Sequence, residues 1–169
     1  MEPRRTPTPD RVSDHSPRQP ADQRAPERKP ARGSDTVTQG VRVTVMPFFW
    51  AERSDPTARS YMFRYRVRIA NEGATPAQLL KRFWRITDAL GNINTVDGTG
   101  VVGEFPNLAP GQSFSYESFC PIATHWGTME GHYSMCRPDG TEFAAAITRF
   151  YLVSKDPSLA TEDVVEMPA

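Results

Sequence analysis

The chain has 169 residues, 20 Lys+Arg against 20 Asp+Glu and a formal net charge of +0. That length fits one domain with tails, and the balanced charge excludes a general polyanion binder, which carries a basic footprint, so no nucleic-acid partner is expected. No apolar run reaches the ~18 residues a membrane helix needs, the basic N-terminus lacks the apolar segment of a secretory signal, and the two cysteines, Cys120 and Cys136, lack CxxC partners and read as buried thiols in a reducing cytoplasm, with a single disulfide as the alternative.

Residues 1–35 hold seven prolines and no aromatic residue. Such a segment buries too little apolar surface to offset its ordering entropy, and disorder is expected. The readings for it are an expendable tail, a proline-rich docking tail, or a loose electrostatic tether through Arg4, Arg5, Arg28, Lys29 and Arg32. Residues 36–153 form the expected domain, with eleven Lys/Arg and ten Asp/Glu. Residues 154–169 read as a short acidic, disordered tail.

Within the domain, period-2 alternation dominates. Val41 to Met46 reads as a first strand that Pro47 places at an edge or ends. Tyr61, Phe63, Tyr65, Val67 and Ile69 alternate with Met62, Arg64, Arg66 and Arg68, which means one buried and one solvated face. The arginine row is either an anion patch or a solvated face paired with carboxylates. Gln78 to Asp88 reads as a strand in which Leu80, Trp84 and Ile86 share a parity that Arg82 breaks, a sign of a bulge or a partly exposed strand. A turn at Ala89–Asn92 leads into a short strand. After a loop at Asn107–Gln112, strands are expected over Ser113–Cys120, Met129–Cys136 and Thr141–Val153, the last two joined by the turn Pro138-Asp139-Gly140. About seven strands in ~115 residues predict an all-β, fibronectin type III- or immunoglobulin-like sandwich.

Gly98, Gly100 and Gly103 have the G-x-G-x-x-G spacing of a dinucleotide fingerprint. That site needs a following helix to present N–H groups to the phosphates, and Pro106 and Pro110 forbid one. The stretch reads instead as a strand-edge loop needing positive φ or close backbone approach. Its ligand-binding alternative is a backbone nest for an anion. No catalytic or metal set assembles. His15 lies in the tail. His125, His132, Cys136, Glu130 and Asp139 match no ligand spacing, and residues four apart on a strand lie ~13 Å apart. Cys120 with His125 has only sequence proximity behind it. Asp88, Asp97 and Glu104 read as turn carboxylates. No catalytic residue, cofactor or metal is therefore expected.

Taken together, these segments resemble the ApaG domain. The likeness runs through Tyr-x-Phe-x-Tyr-x-Val-x-Ile-x-Asn at Tyr61–Asn71 and Gln-Leu-Leu-x-Arg-x-Trp-x-Ile-Thr-Asp at Gln78–Asp88. It continues through Gly98–Gly111, Gly127–Met135 and the Asp139-Gly140 turn. The resemblance implies a fibronectin type III-like sandwich and a link to cobalt tolerance and magnesium homeostasis. It also implies a protein-interaction role, as in F-box proteins, and a suggested affinity of the glycine motif for nucleotides or pyrophosphate. Phe83 replaces the histidine usual before the tryptophan, which weakens any metal or acid–base role. Phe119, His125-Trp126 and Thr148 also depart from the pattern.

Two functions are carried forward. The first is a non-enzymatic, cytoplasmic module that binds another protein, or a second copy of itself, through exposed apolar residues among Phe48, Phe49, Trp50, Phe119 and Trp126. The second is a phosphorylated small molecule held on Gly98, Gly100 and Gly103, with Arg82 and Arg85 converging on it.

Overall fold

Period-2 alternation sets the architecture. The computed structural model describes residues 32–154. The two stretches read as tails lie outside the described residues, apart from Arg32–Asp35 and Ser154. Among the described residues are nine strands: β1 (Ser34–Thr38), β2 (Val41–Phe49), β3 (Tyr61–Asn71), β4 (Ala77–Asp88), β5 (Ile93–Thr99), β6 (Asn107–Leu108), β7 (Ser113–Ile122), β8 (Trp126–Cys136) and β9 (Glu142–Val153). One sheet has the order β1-β2-β3-β7; the other is β5-β4-β8-β9, with β6 pairing on β4. All pairings are antiparallel. This is the all-β, fibronectin type III-like sandwich the sequence predicts.

Two strands go beyond the expected seven. β1 begins at Ser34, two residues inside the stretch assigned to the tail. Its registry rests on Arg42, which donates to Asp35 Oδ1 and Oδ2 at 2.7 and 2.6 Å, a cross-strand fork that no hydrophobic pattern announces. β6 consists of Asn107 and Leu108, opposite Gln78 and Ala77, inside the expected loop.

The alternating faces meet in one core. From the first sheet come Val41, Val43, Val45, Phe63, Val67 and Ile69, all fully buried. From the second come Trp84, Met129, Tyr133, Phe150 and Leu152. Trp84 joins the sheets as the sequence suggests. Its ring meets Tyr65, Tyr133 and Phe150 edge-on, with centroids 5.4, 6.1 and 5.9 Å away. Side chains of this size each contribute about 1.5–3 kcal/mol by leaving water.

Two bulges correct the parity. In β4 the register slips between Leu79 and Lys81. Leu79, not Leu80, is therefore fully buried, while Trp84 and Ile86 keep the inward face. The displaced Leu80 carbonyl accepts a bond from Gly100 N–H at 2.8 Å, which anchors the glycine stretch. In β9 the register slips opposite Met129 and Gly131, so Ile147 and Phe150 both point inward. Pro47 lies inside β2 rather than at its end. β1 reaches only to Val45, so β2 is an edge where the proline sits.

The sandwich has two unlike seams. Along β1 and β9 the sheets are stitched. Thr36 and Thr148 share a hydroxyl bond of 2.6 Å, Ala146 N–H donates to Thr38 Oγ1 at 3.1 Å and Tyr151 N–H donates to the Arg32 carbonyl at 2.9 Å. Along β5 and β7 no ladder bond closes the gap among the described residues; Ala89 N–H donates to Thr124 Oγ1 at 3.0 Å at its end, and a cavity opens between the strands.

Candidate functional site

The cavity at the open seam measures about 340 Å³. β4 supplies Arg82, Trp84 and Ile86, β5 supplies Asn94 and Val96, and β7 supplies Tyr116, Ser118 and Cys120. Each is on the inward parity of its strand. The walls are mostly apolar with a few convergent polar groups, the character of small-molecule sites, and the volume is at the lower end of their range.

Arg82 is the unusual member. Gly98 is its partner across the β4–β5 ladder. A Cβ on Gly98 would lie 2.6 Å from the Arg82 Cζ and Nη2 and 2.7 Å from Nη1, so the guanidinium lies flat against bare β5 backbone. Nη1 donates to the carbonyls of Thr99 and Gly100 at 3.0 and 2.8 Å. No carboxylate pairs with it among the described residues. The glycine at 98 thus serves close approach.

Beyond it the stretch makes a two-residue hairpin. Val101 and Glu104 exchange backbone bonds of 2.9 and 2.8 Å, with Val102 at φ +45 and Gly103 at φ +77. Both central residues need positive φ, the primed-turn geometry. Glycine takes this readily, but a β-branched valine is strained there. Val101 is fully buried and Val102 is 62% exposed at the cavity mouth. No helix follows, so no helix N-terminus faces these glycines.

Three tyrosines lie on the core side of the cavity. The hydroxyls of Tyr116 and Tyr133 are hydrogen-bonded to each other. Burial pushes the phenols of Tyr65, Tyr116 and Tyr133 up, against a smaller downward pull from the Arg82 charge. Burial also pushes the Cys120 thiol up to about 12, which keeps it protonated and non-nucleophilic at neutral pH.

The structure separates the two arginines named with the glycine loop. Arg82 reaches Gly98 and Gly100. Arg85 has outward parity and faces Glu130, 3.9 Å away. His132 stacks on Phe83 at 5.2 Å. Asp88 accepts the Leu90 and Asn92 N–H bonds of its own turn, each 2.9 Å. Cys120 and Cys136 are both free thiols. No group of three His, Cys, Asp or Glu able to hold a metal occurs among the described residues. The cavity walls are not legible as a site from the sequence; their one signal is Arg82, a charge on the inward parity of a strand.

A second feature lies on the solvent face of the β1-β2-β3-β7 sheet. Phe48, Arg64 and Phe119 stand directly opposite one another on β2, β3 and β7. Phe48 is 39% exposed and Phe119 is 61% exposed. Trp50 extends the row, with the Arg64 and Arg53 guanidiniums 5.2 and 5.3 Å from its ring centroid. In the next row Arg66 pairs with Glu117 at 2.6 Å, the cross-strand pairing expected of a solvated face.

The two antiparallel sheets form a fibronectin type III-like sandwich. The ApaG domain family (DUF525) matches residues 51–137, and the chain belongs to this family. It is 50% identical over 115 residues to protein ApaG of Methylobacterium sp. (strain 4-46), covering 68% of this chain and 88% of that one. It is 50% identical over 120 residues to protein ApaG of Anaeromyxobacter dehalogenans (strain 2CP-1 / ATCC BAA-258), covering 71% and 94%. A crystal structure of a Bordetella pertussis protein assigned the name ApaA superposes with TM-score 0.66 at 44% identity, covering 67% of this chain and 92% of that one. No helix among the described residues is long and apolar enough to cross a membrane.

Proposed function

We propose that the chain is a non-enzymatic, cytoplasmic ApaG-type module that binds another protein through the solvent face of the β1-β2-β3-β7 sheet. The row of Phe48, Arg64 and Phe119 with Trp50 carries this reading. Aromatic residues and arginine dominate the energetics of protein interfaces, and a contiguous apolar cluster on a solvent face marks a contact surface. The Arg64–Trp50 stack holds two long side chains in place before a partner arrives, which lowers the ordering cost of binding. The link to cobalt or magnesium homeostasis implied by the resemblance then lies in the partner.

The test is a photo-crosslinking amino acid placed at Phe48 or Phe119 of the full chain, with Arg85 on the other sheet as the control position. Discrete adducts are expected from the first two positions. They should disappear in the Phe48→Asp background when crosslinking from 119 and persist in Glu104→Lys. The same adducts from position 85 would sink the reading. An adduct at twice the chain mass with purified protein would make the partner a second copy. Loss of the adducts in Glu104→Lys, together with pyrophosphate-induced shifts at Gly100–Gly103, would favour phosphate binding by the glycine hairpin instead.

A further inference from the structure

We propose that the cavity at the β5–β7 seam is a binding site for a carboxylate with an apolar body, its carboxylate on the free edge of Arg82 and its body against Trp84, Val96 and Val101. The argument starts from charge. A half-buried guanidinium ordinarily faces a carboxylate, because burying an unpaired cation is costly. Several of the other described arginines have one. Arg42 pairs with Asp35 and Glu72, Arg66 with Glu117, and Arg149 with Glu130. Arg137 bonds only the carbonyls of Gln39, Thr75 and Pro76, but it does not line the cavity. Arg82 lines a cavity and pairs with neutral carbonyls only.

Its geometry leaves a specific vacancy. Nη1 makes both backbone bonds, and among the described residues Nε and Nη2 make none. Those two donors form the side-on fork that matches the two oxygens of a carboxylate. Nη1 anchors the fork, so its orientation is set before a ligand arrives. A multiply charged phosphate would need further cations, and among the described residues Arg82 is the one cation on the cavity wall. The remaining walls suit an aryl or branched alkyl group. At about 340 Å³ the cavity takes a body of roughly ten non-hydrogen atoms. Two sources present this chemistry: a free organic acid, and the C-terminal residue of a protein chain. The cavity shares Phe119 at its rim with the proposed protein-binding face, but its argument rests on Arg82 and survives if that reading fails.

The test is an amide-resolved NMR titration of the full chain with phenylacetate, 3-phenylpropionate and the neutral phenylacetamide. Two further probes are acetyl-Gly-Gly-Phe with a free C-terminus and the same peptide amidated. Saturable shifts are expected at Val96, Val101 and Ser118 and at the Arg82 Nε–H. The acids should bind at about 0.1–5 mM and their neutral amides about tenfold more weakly. Arg82→Ala should abolish the acid–amide difference; if that variant does not fold, the comparison on the unaltered chain decides. Tighter binding of the free-terminus peptide assigns the site to a chain end, and tighter binding of the small acids assigns it to a metabolite. No saturation with any acid, equal binding of acid and amide, or shifts confined to the Phe48–Arg64 face would overturn the proposal.

Discussion

Replacing Gly98 with alanine tests how Arg82 is held. The new Cβ would sit 2.6 Å from the Arg82 Cζ, and the guanidinium, as the end of a flexible side chain, has to slide off the β5 backbone. Its two bonds, at 3.0 and 2.8 Å to Thr99 and Gly100, are then lost. Bonds from a charged donor contribute roughly 1.5–3 kcal/mol each, and partial exposure lowers the pair to about 2 kcal/mol in all. Alanine in a strand recovers about 0.5–1 kcal/mol that glycine loses in backbone entropy. Gly98→Ala should therefore destabilise the chain by about 1–1.5 kcal/mol. With Arg82→Ala already present there is nothing left to displace, and the same substitution should stabilise by about 0.5–1 kcal/mol. The sign reverses, and the coupling is about 2 kcal/mol. Urea unfolding followed by tryptophan fluorescence and far-UV circular dichroism measures all four corners of the cycle. Equal effects of Gly98→Ala in both backgrounds would refute the packing of Arg82 on Gly98.

Three further outcomes follow from the same geometry. At Gly131 a Cβ would come within 1.9 Å of the Phe83 carbonyl oxygen, a backbone atom in the neighbouring strand; Gly131→Ala should cost about 3 kcal/mol or more and a thermal melt should show it, since nothing flexible can give way. Val102→Gly should raise stability by about 1 kcal/mol in the same melt by relieving positive φ in a β-branched residue. Tyr65, Tyr116, Tyr133 and Cys120 all have raised folded values. The unfolded chain therefore releases their protons first, and stability should fall as pH rises above about 9–10. Absorbance at 295 nm should then show those three tyrosines ionising together with unfolding, and their ionisation in a chain still folded by circular dichroism would contradict the buried cluster.

The fold was legible wherever one face of a strand is buried and the other wet. The alternation from Tyr61 to Asn71 places Phe63, Val67 and Ile69 in the core and the arginines outside, as β3 does. The parity mismatch at Arg82 pointed to a bulge or a partly exposed strand; β4 does have a bulge, but it falls at Leu80 and buries Leu79, and Arg82 keeps the inward parity of Trp84 and Ile86. β1 was missed because a charged fork, Arg42 on Asp35, fixes it rather than a hydrophobic pattern. The glycine spacing correctly signalled close approach and positive φ. It could not show that Arg82 rather than Arg85 faces the loop's carbonyls. Their opposite faces follow from parity alone, since both lie beyond the slip; that the Arg82 face meets the loop depends on tertiary pairing. The cavity was invisible for the same reason: its walls come from five strands in both sheets.

The contrast between the two seams makes the molecule a hinge. Hydroxyl and backbone bonds fasten the β1–β9 side, and every hydrogen bond of the β5 and β7 ladders runs inward to β4 and β3. A small rotation of one sheet against the other about the fastened side changes the width of the gap without breaking a ladder bond. Among the described residues, such a rotation would be resisted on the β7 side only by the Tyr116–Tyr133 hydroxyl bond and by the Ala89–Thr124 bond at the end of the seam. Amide exchange should register this as faster exchange along the free edges of β5 and β7 than along the β1–β9 spine.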